Sequence, residues 1–232
     1  MMQRRNFYDY VRQHLFPGHL SQTQVDGMET LLDAGEAQAD DPRWIAYVLA
    51  TTFHETDKTM QPIREYGLGR GQPYGVPDPQ TGQVYYGRGY VQLTHKVNYQ
   101  TMGAKLGIDL VNNPDQALDP PVAAKIIYLG MTQGLFTSHK LADYFNATTS
   151  DWYNARRIVN GLDRAMMIAG YGTAFYTAIL RADVPDTPPA AEAQPVLAPP
   201  PGLKVDIAAF RQQIQSAEPD YVQLEKQSLL AG

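Results

Sequence analysis

The chain has no cysteine among its 232 residues. Disulfides, a thiolate nucleophile and a cysteine-ligated zinc are therefore excluded. Positive charge is also in deficit: 19 Lys and Arg face 24 Asp and Glu, for a net charge of -5. General nucleic-acid binding wants a basic surface, so this balance argues against it. Long-range steering of an anionic polymer is weak for the same reason, although a local basic groove remains compatible with it. No apolar run approaches the roughly 18 residues that span a bilayer. Arg4 and Arg5 have no apolar core behind them, because Asp9, Arg12, Gln13 and His14 interrupt it. That is not the pattern of a secretory signal. The expectation is synthesis in the cytoplasm, without stable membrane insertion. A Gly-x-Ser-x-Gly elbow, the mark of one class of serine nucleophile, is missing. His54 suggests a metal ligand, but position 58 is Lys58 and no second histidine stands at ligand spacing. The expectation is no metal and no cofactor, with His54 a structural histidine hydrogen-bonded in its helix.

What the sequence does have is a normal apolar share, 44%, enough for a core. Phe7, Tyr8, Val11, Leu15 and Phe16 fall at helical spacing and Pro17-Gly18 ends the run. Ser21 and Gln24 form a capping-box pair ahead of Val25, Met28, Leu31 and Leu32. Residues 34–41 read as a loop. Asp41-Pro42 places an N-cap before proline at the first helical position. The helix it opens is apolar on most of its circumference, which predicts a buried central helix with Glu55 near its end. Thr94 reads as the cap of a further helix that stops at Gly107. Asp119-Pro120 starts another, Leu141–Phe145 is a short one, and 151–159 and 162–180 read as the last two. Strand character is confined to short pieces near 84–86 and 90–93. The fold class is mainly α. A catalytic domain over 1–183 is followed by a linker dominated by Pro and Ala at 184–203. The tail, 204–232, has the makings of a short amphipathic helix.

The stretch from Phe53 to Glu65 holds two carboxylates in contrasting settings. Glu55 ends an apolar helix, where desolvation and the negative end of the helix dipole disfavour its charged form, with Lys58 opposing. That is the profile of a general acid. Glu65 sits beside Arg64, with Arg70 and several tyrosines near in sequence, the profile of an ionised general base. It opens a long segment, 61–90, rich in Gly, Pro and Tyr, that reads as a loop with a short hairpin around Thr81-Gly82. Long ordered loops inside a compact domain are usually functional. Gly67, Gly69 and Gly71 do not follow a strand, which makes a nucleotide-binding reading weak.

A second informative stretch is Tyr85-Tyr86-Gly87-Arg88-Gly89-Tyr90-Val91-Gln92-Leu93-Thr94, with Asn98-Tyr99 beyond it. Together with His54-Glu55-Thr56, the segment from Leu110 to Asp115 and Arg157-Ile158-Val159-Asn160-Gly161, it resembles the signature of family 19 glycoside hydrolases. The resemblance covers about residues 20–181. It implies a lysozyme-like, bilobal helical domain with a central groove and a minor hairpin. It also implies Glu55 as general acid, Glu65 as general base and Thr94 as a residue positioning the attacking water. Another carboxylate near Glu65 remains open as the base. Gln92, Asn98 and Asn160 match polar residues of the substrate groove, to which Tyr86 and His54 are added. Arg88 reads as a structural brace.

The implied mechanism is single displacement with inversion, for which the carboxyl groups stand roughly 6.5–9.5 Å apart. The family's plant disulfides are absent. Gly172 and Thr173 stand where an arginine is common near the end of its last helix. Short loops after Glu65 suggest an open groove, closer to the family's phage endolysin branch. The leading expectation is a peptidoglycan-cleaving enzyme acting on the cell wall after release, with a holin-like release partner. A chitinase is the runner-up, and a non-catalytic glycan-binding or virion structural protein is the third reading. A polysaccharide substrate, no nucleic-acid partner and a monomeric state complete the expectation.

Overall fold

The structure is a computed structural model that describes residues 3–39 and 41–182. The segments 184–203 and 204–232, read above as linker and tail, lie outside the described residues. The described part is mainly helical, with one two-stranded sheet.

Helix α3, Pro42–Glu55, is the centre of the core. Its first turn is fixed by the Asp41 carboxylate, which accepts from the Arg43 backbone N–H at 2.9 Å. Pro42 sits where no N–H is needed. All nine residues from Ile45 to Phe53 are buried. A helix buried all round needs partners on every side, and here α2, α5 and α7 supply them. Helix α1, Arg4–His14, covers α7, Ala165–Ala182, with Phe7 stacked on Phe175. Helix α2 runs Gln22–Gln38 and packs against both α3 and α5, Pro120–Gln133. Its capping box is formed as the sequence implies, with Ser21 and Gln24 each satisfying the other's backbone N–H. Helix α4 is Lys96–Leu106, ended by Gly107 at φ 69°, and α6 is the short Leu141–Tyr144.

Several expectations from the sequence change. Residues 34–38 are not loop but the last turn of α2, where Gly35 lets the Tyr128 hydroxyl and the Ile45 side chain come close: a Cβ there would fall 2.3 Å and 2.9 Å from them. The segment 151–159 is not an α-helix: only a 3-10 turn, Asn154–Ile158, forms, and the final helix starts at Ala165 rather than Leu162. Thr94 is not the cap of α4. His95 takes that position at φ 71°, while the Thr94 hydroxyl donates to the Gln92 carbonyl at 2.8 Å. The strands are not at 84–86 and 90–93. Instead β1, Ile63–Arg64, pairs antiparallel with β2, Arg88–Gly89. The sheet thus closes the long loop at its base. Around Thr81-Gly82 a tight turn forms without strands, closed by Asp78 N–H to the Gln83 carbonyl at 2.8 Å.

Candidate active site

The residues singled out from sequence assemble into two clusters. The first is built on the end of α3. Glu55 is the last residue of that helix, and Arg156, from the 3-10 turn ahead of α7, donates from Nη1 to its Oε1 at 2.7 Å. Arg156 is only 3% exposed, against 19% for Glu55, so the cation is buried and the carboxylate keeps a solvent face. The Arg156 Nε donates to the Asp163 carbonyl, which fixes the guanidinium plane. Asn160 hangs from the same turn, its N–H on the Arg156 carbonyl and its Oδ1 accepting from the Gly161 N–H. His54 lies beside Glu55, half-buried. Partial burial pushes its pKa below the ordinary histidine value. Glu55 opposes the shift and Arg156 and Arg164 reinforce it, so the neutral ring is favoured. The ring hydrogen bond expected from sequence is not seen among the described residues.

The second cluster is built around Gly87. Glu65 clasps it twice: the Glu65 N–H donates to the Gly87 carbonyl at 2.8 Å, and Oε2 accepts from the Gly87 N–H at 3.0 Å. The other oxygen, Oε1, accepts from the Tyr74 hydroxyl at 3.2 Å. Partial burial and the Glu65 charge both raise the Tyr74 pKa, so it remains a donor. A Cβ on Gly87 would stand 2.8 Å from Gln92 Oε1 and 3.3 Å from Thr94 Oγ1. Glycine here lets the anchor of Glu65, the glutamine and the threonine converge. Gln92 holds φ 53°, and its amide N–H groups go to the Ile63 and Gly89 carbonyls. Asn98 donates to the Thr94 carbonyl at 2.7 Å. Beneath them, Arg88 is 4% exposed, stacks at 3.7 Å over the Tyr86 ring, and donates to Asp115, to the Val84 and Tyr86 carbonyls and to the Tyr99 hydroxyl. Asp115 also receives Arg64 at 2.7 Å.

The covalent link between the clusters, residues 56–62, is held in an unusual backbone shape. Asp57, Lys58 and Met60 all have positive φ, a conformation that side chains normally disfavour. Buried Thr56 accepts from the Met60 N–H, and Gln24 donates to the Lys58 carbonyl. Gly27 of α2 opens the space: a Cβ there would fall 1.7 Å from the Met60 carbonyl oxygen.

Sequence reasoning missed Arg156 and Tyr74. Arg156 had one signal, a charged residue between Ala155 and the Arg157-Ile158 pair, whose charge needs a partner if buried. Tyr74 had none beyond the general run of tyrosines. No group of three or more potential metal ligands occurs among the described residues.

A mainly helical domain, with Glu55 ending α3 and Glu65 directly after β1, is what the coordinates define. The chain belongs to the family 19 glycoside hydrolases: the family model described as chitinase class I matches residues 23–158, more than half of the chain. Over 86 residues it is 65% identical to chitinase 11 of Oryza sativa subsp. japonica, covering 35% of this chain and 32% of that one. Over 106 residues it is 39% identical to the basic 30 kDa endochitinase of Solanum lycopersicum, covering 39% and 33%. The chain thus spans about a third of the length of these curated relatives. Chitinase C from Streptomyces griseus has the same fold, with a TM-score of 0.53 at 24% identity over 75% of each chain.

Proposed function

We propose that this protein hydrolyses β-1,4 bonds between N-acetylated amino sugars by single displacement, with Glu55 as general acid and Glu65 as general base. The observation that carries this reading is the pair of carboxylates that the family signature brings to adjoining segments, Glu55 under the Arg156 guanidinium at 2.7 Å and Glu65 on the long loop. Glu55 is mounted on a buried helix with one solvent face. Glu65 is held by the Gly87 N–H and the Tyr74 hydroxyl. Thr94 fits the role of water holder. Its own proton goes to the Gln92 carbonyl, so its remaining lone pairs accept from a water whose other proton faces Glu65. Attack then comes from the side opposite the leaving oxygen, which Glu55 protonates. Asn160, on the Glu55 side, and Asn98 and Gln92, on the Glu65 side, are assigned to sugar contacts: Asn98 keeps one amide N–H and its carbonyl, while Gln92, whose two N–H groups go to Ile63 and Gly89, offers its carbonyl.

Two polymers present such a bond. The relatives' names speak for chitin. The short loops after Glu65, with the open groove they suggest, speak for peptidoglycan. A holin-like release partner belongs to the second reading alone.

The test is turnover of N-acetylglucosamine oligomers and of purified peptidoglycan by the wild type and by Glu55→Gln, with the anomer of the first product read by NMR. Inverted product from the wild type and a loss of at least about 100-fold in Glu55→Gln are expected. Retained configuration, or an active Glu55→Gln enzyme, would overturn the mechanism. Activity on only one polymer decides between them.

A further inference from the structure

Tyr66 is the most exposed large apolar side chain of the described residues, at 82%. Nothing in folding requires an aromatic ring there, since an open ring contributes no burial. Its place is specific. It follows Glu65 directly, and its hydroxyl reaches the Asp57 carboxylate at 3.5 Å, two residues beyond Glu55. The ring therefore extends from the segment carrying one glutamate to the segment carrying the other, alongside the 56–62 connection. Leu68 and Val76, from the same loop, are also exposed, at 50% and 65%. This loop presents apolar surface where a polar face would cost nothing.

We propose that Tyr66 is a sugar-stacking platform of the site, taking the C–H face of one N-acetylated amino-sugar ring while its hydroxyl stays on Asp57. The inference rests on the proposed glycosidase reading. A pyranose ring has one face of C–H groups and a rim of hydroxyls. A flat ring with a polar tip matches both: the body covers the apolar face and the tip remains wet. Binding sites for small polar ligands combine apolar walls with a few placed polar groups. The Tyr66 hydroxyl lies 3.5 Å from Asp57 Oδ2, and the ring is left open to solvent.

The experiment uses the full chain and the N-acetylglucosamine hexamer. Tyr66→Ala is expected to raise KM about 3- to 10-fold, with the loss falling on KM rather than kcat. Tyr66→Phe, which keeps the ring and drops the hydroxyl, is expected to stay within about twofold of wild type. An unchanged KM in Tyr66→Ala, or equal losses in Tyr66→Phe and Tyr66→Ala, would overturn the platform. A readout independent of turnover is tryptophan fluorescence of the double variant Glu55→Gln, Tyr66→Trp. The added indole is expected to shift its emission on hexamer addition, and the Glu55→Gln single variant is expected to show no such shift. A flat titration overturns the stacking role. Loss of the mechanism with a positive titration would leave the platform standing as a binding feature.

Discussion

Arg156 donates to Glu55 across 101 residues of sequence at 2.7 Å. A buried guanidinium thus stands directly on the carboxylate assigned as acid, supplied by the turn ahead of α7. Gly172, in the region where the family commonly carries an arginine, instead packs its backbone against Trp152. Arg156→Ala is expected to lower kcat about 10- to 100-fold, because a displaced acid loses its alignment. Breaking the pair is also expected to cost about 3 kcal/mol of stability in urea melts. Arg156→Lys is expected to recover part of the stability and little of the rate, since a point charge does not copy a planar fork. Wild-type kcat in Arg156→Ala would remove the positioning role.

Gly27 leaves room for the Met60 carbonyl. Gly27→Ala is expected to destabilise the fold by about 1–3 kcal/mol and to depress activity further by moving the joint between the glutamates. Gly170 is the control. It lies in α7 with nothing within 4 Å of the site of a Cβ, so Gly170→Ala is expected to stabilise by about 0.4–1 kcal/mol. Urea midpoints for both variants check the contrast; equal shifts would contradict it.

Tyr74 gives Glu65 one of its two side-chain hydrogen bonds. Tyr74→Phe is expected to lower kcat about 2- to 10-fold, with KM and melting temperature little changed. A change confined to KM would place Tyr74 in sugar binding instead.

Partial burial acts to raise the Asp115 pKa, but Arg64 and Arg88 outweigh it and hold the carboxyl below the ordinary range. A depressed folded pKa means that the unfolded chain binds the proton more readily. The contribution is therefore complete above the unfolded value, about 3.9, and is lost as pH falls through the lower folded value. The melting-temperature gap between wild type and Asp115→Asn is expected to be constant from about pH 6 to 8 and to close below about pH 4. A gap that widens in acid would reverse the assignment.

Local signals carried much of the fold. Asp41-Pro42 and the Ser21–Gln24 pair act within one turn of chain, so their geometry is written in neighbouring residues. The burial of α3 follows from its unbroken apolar circumference. What was illegible is non-local. The close packing of Gly35, late in α2, against Tyr128 joins residues 93 apart in sequence. Thr94 looked like a cap because threonines often are, but the Gln92 carbonyl competes for its hydroxyl. The strands near the site are two residues long, too short for any alternation to register. In the site, the glutamates and the glycine-flanked Arg88 stood out by type and spacing. Arg156 did not, because its partner is set by how the turn ahead of α7 meets the end of α3.

The two carboxylates also differ in the depth of structure that holds them. Glu55 ends a helix buried over nine consecutive residues, so freeing it requires opening the core. Glu65 is tied to Gly87 by two hydrogen bonds and to a two-residue strand pair. Such an element opens at a lower free energy than the core does. On warming, Glu65 is expected to lose its hold before Glu55, and activity is expected to fade ahead of global melting. Hydrogen exchange at the Gly87 amide reports that earlier transition, while the amides of Val48 to Phe53 report the later one.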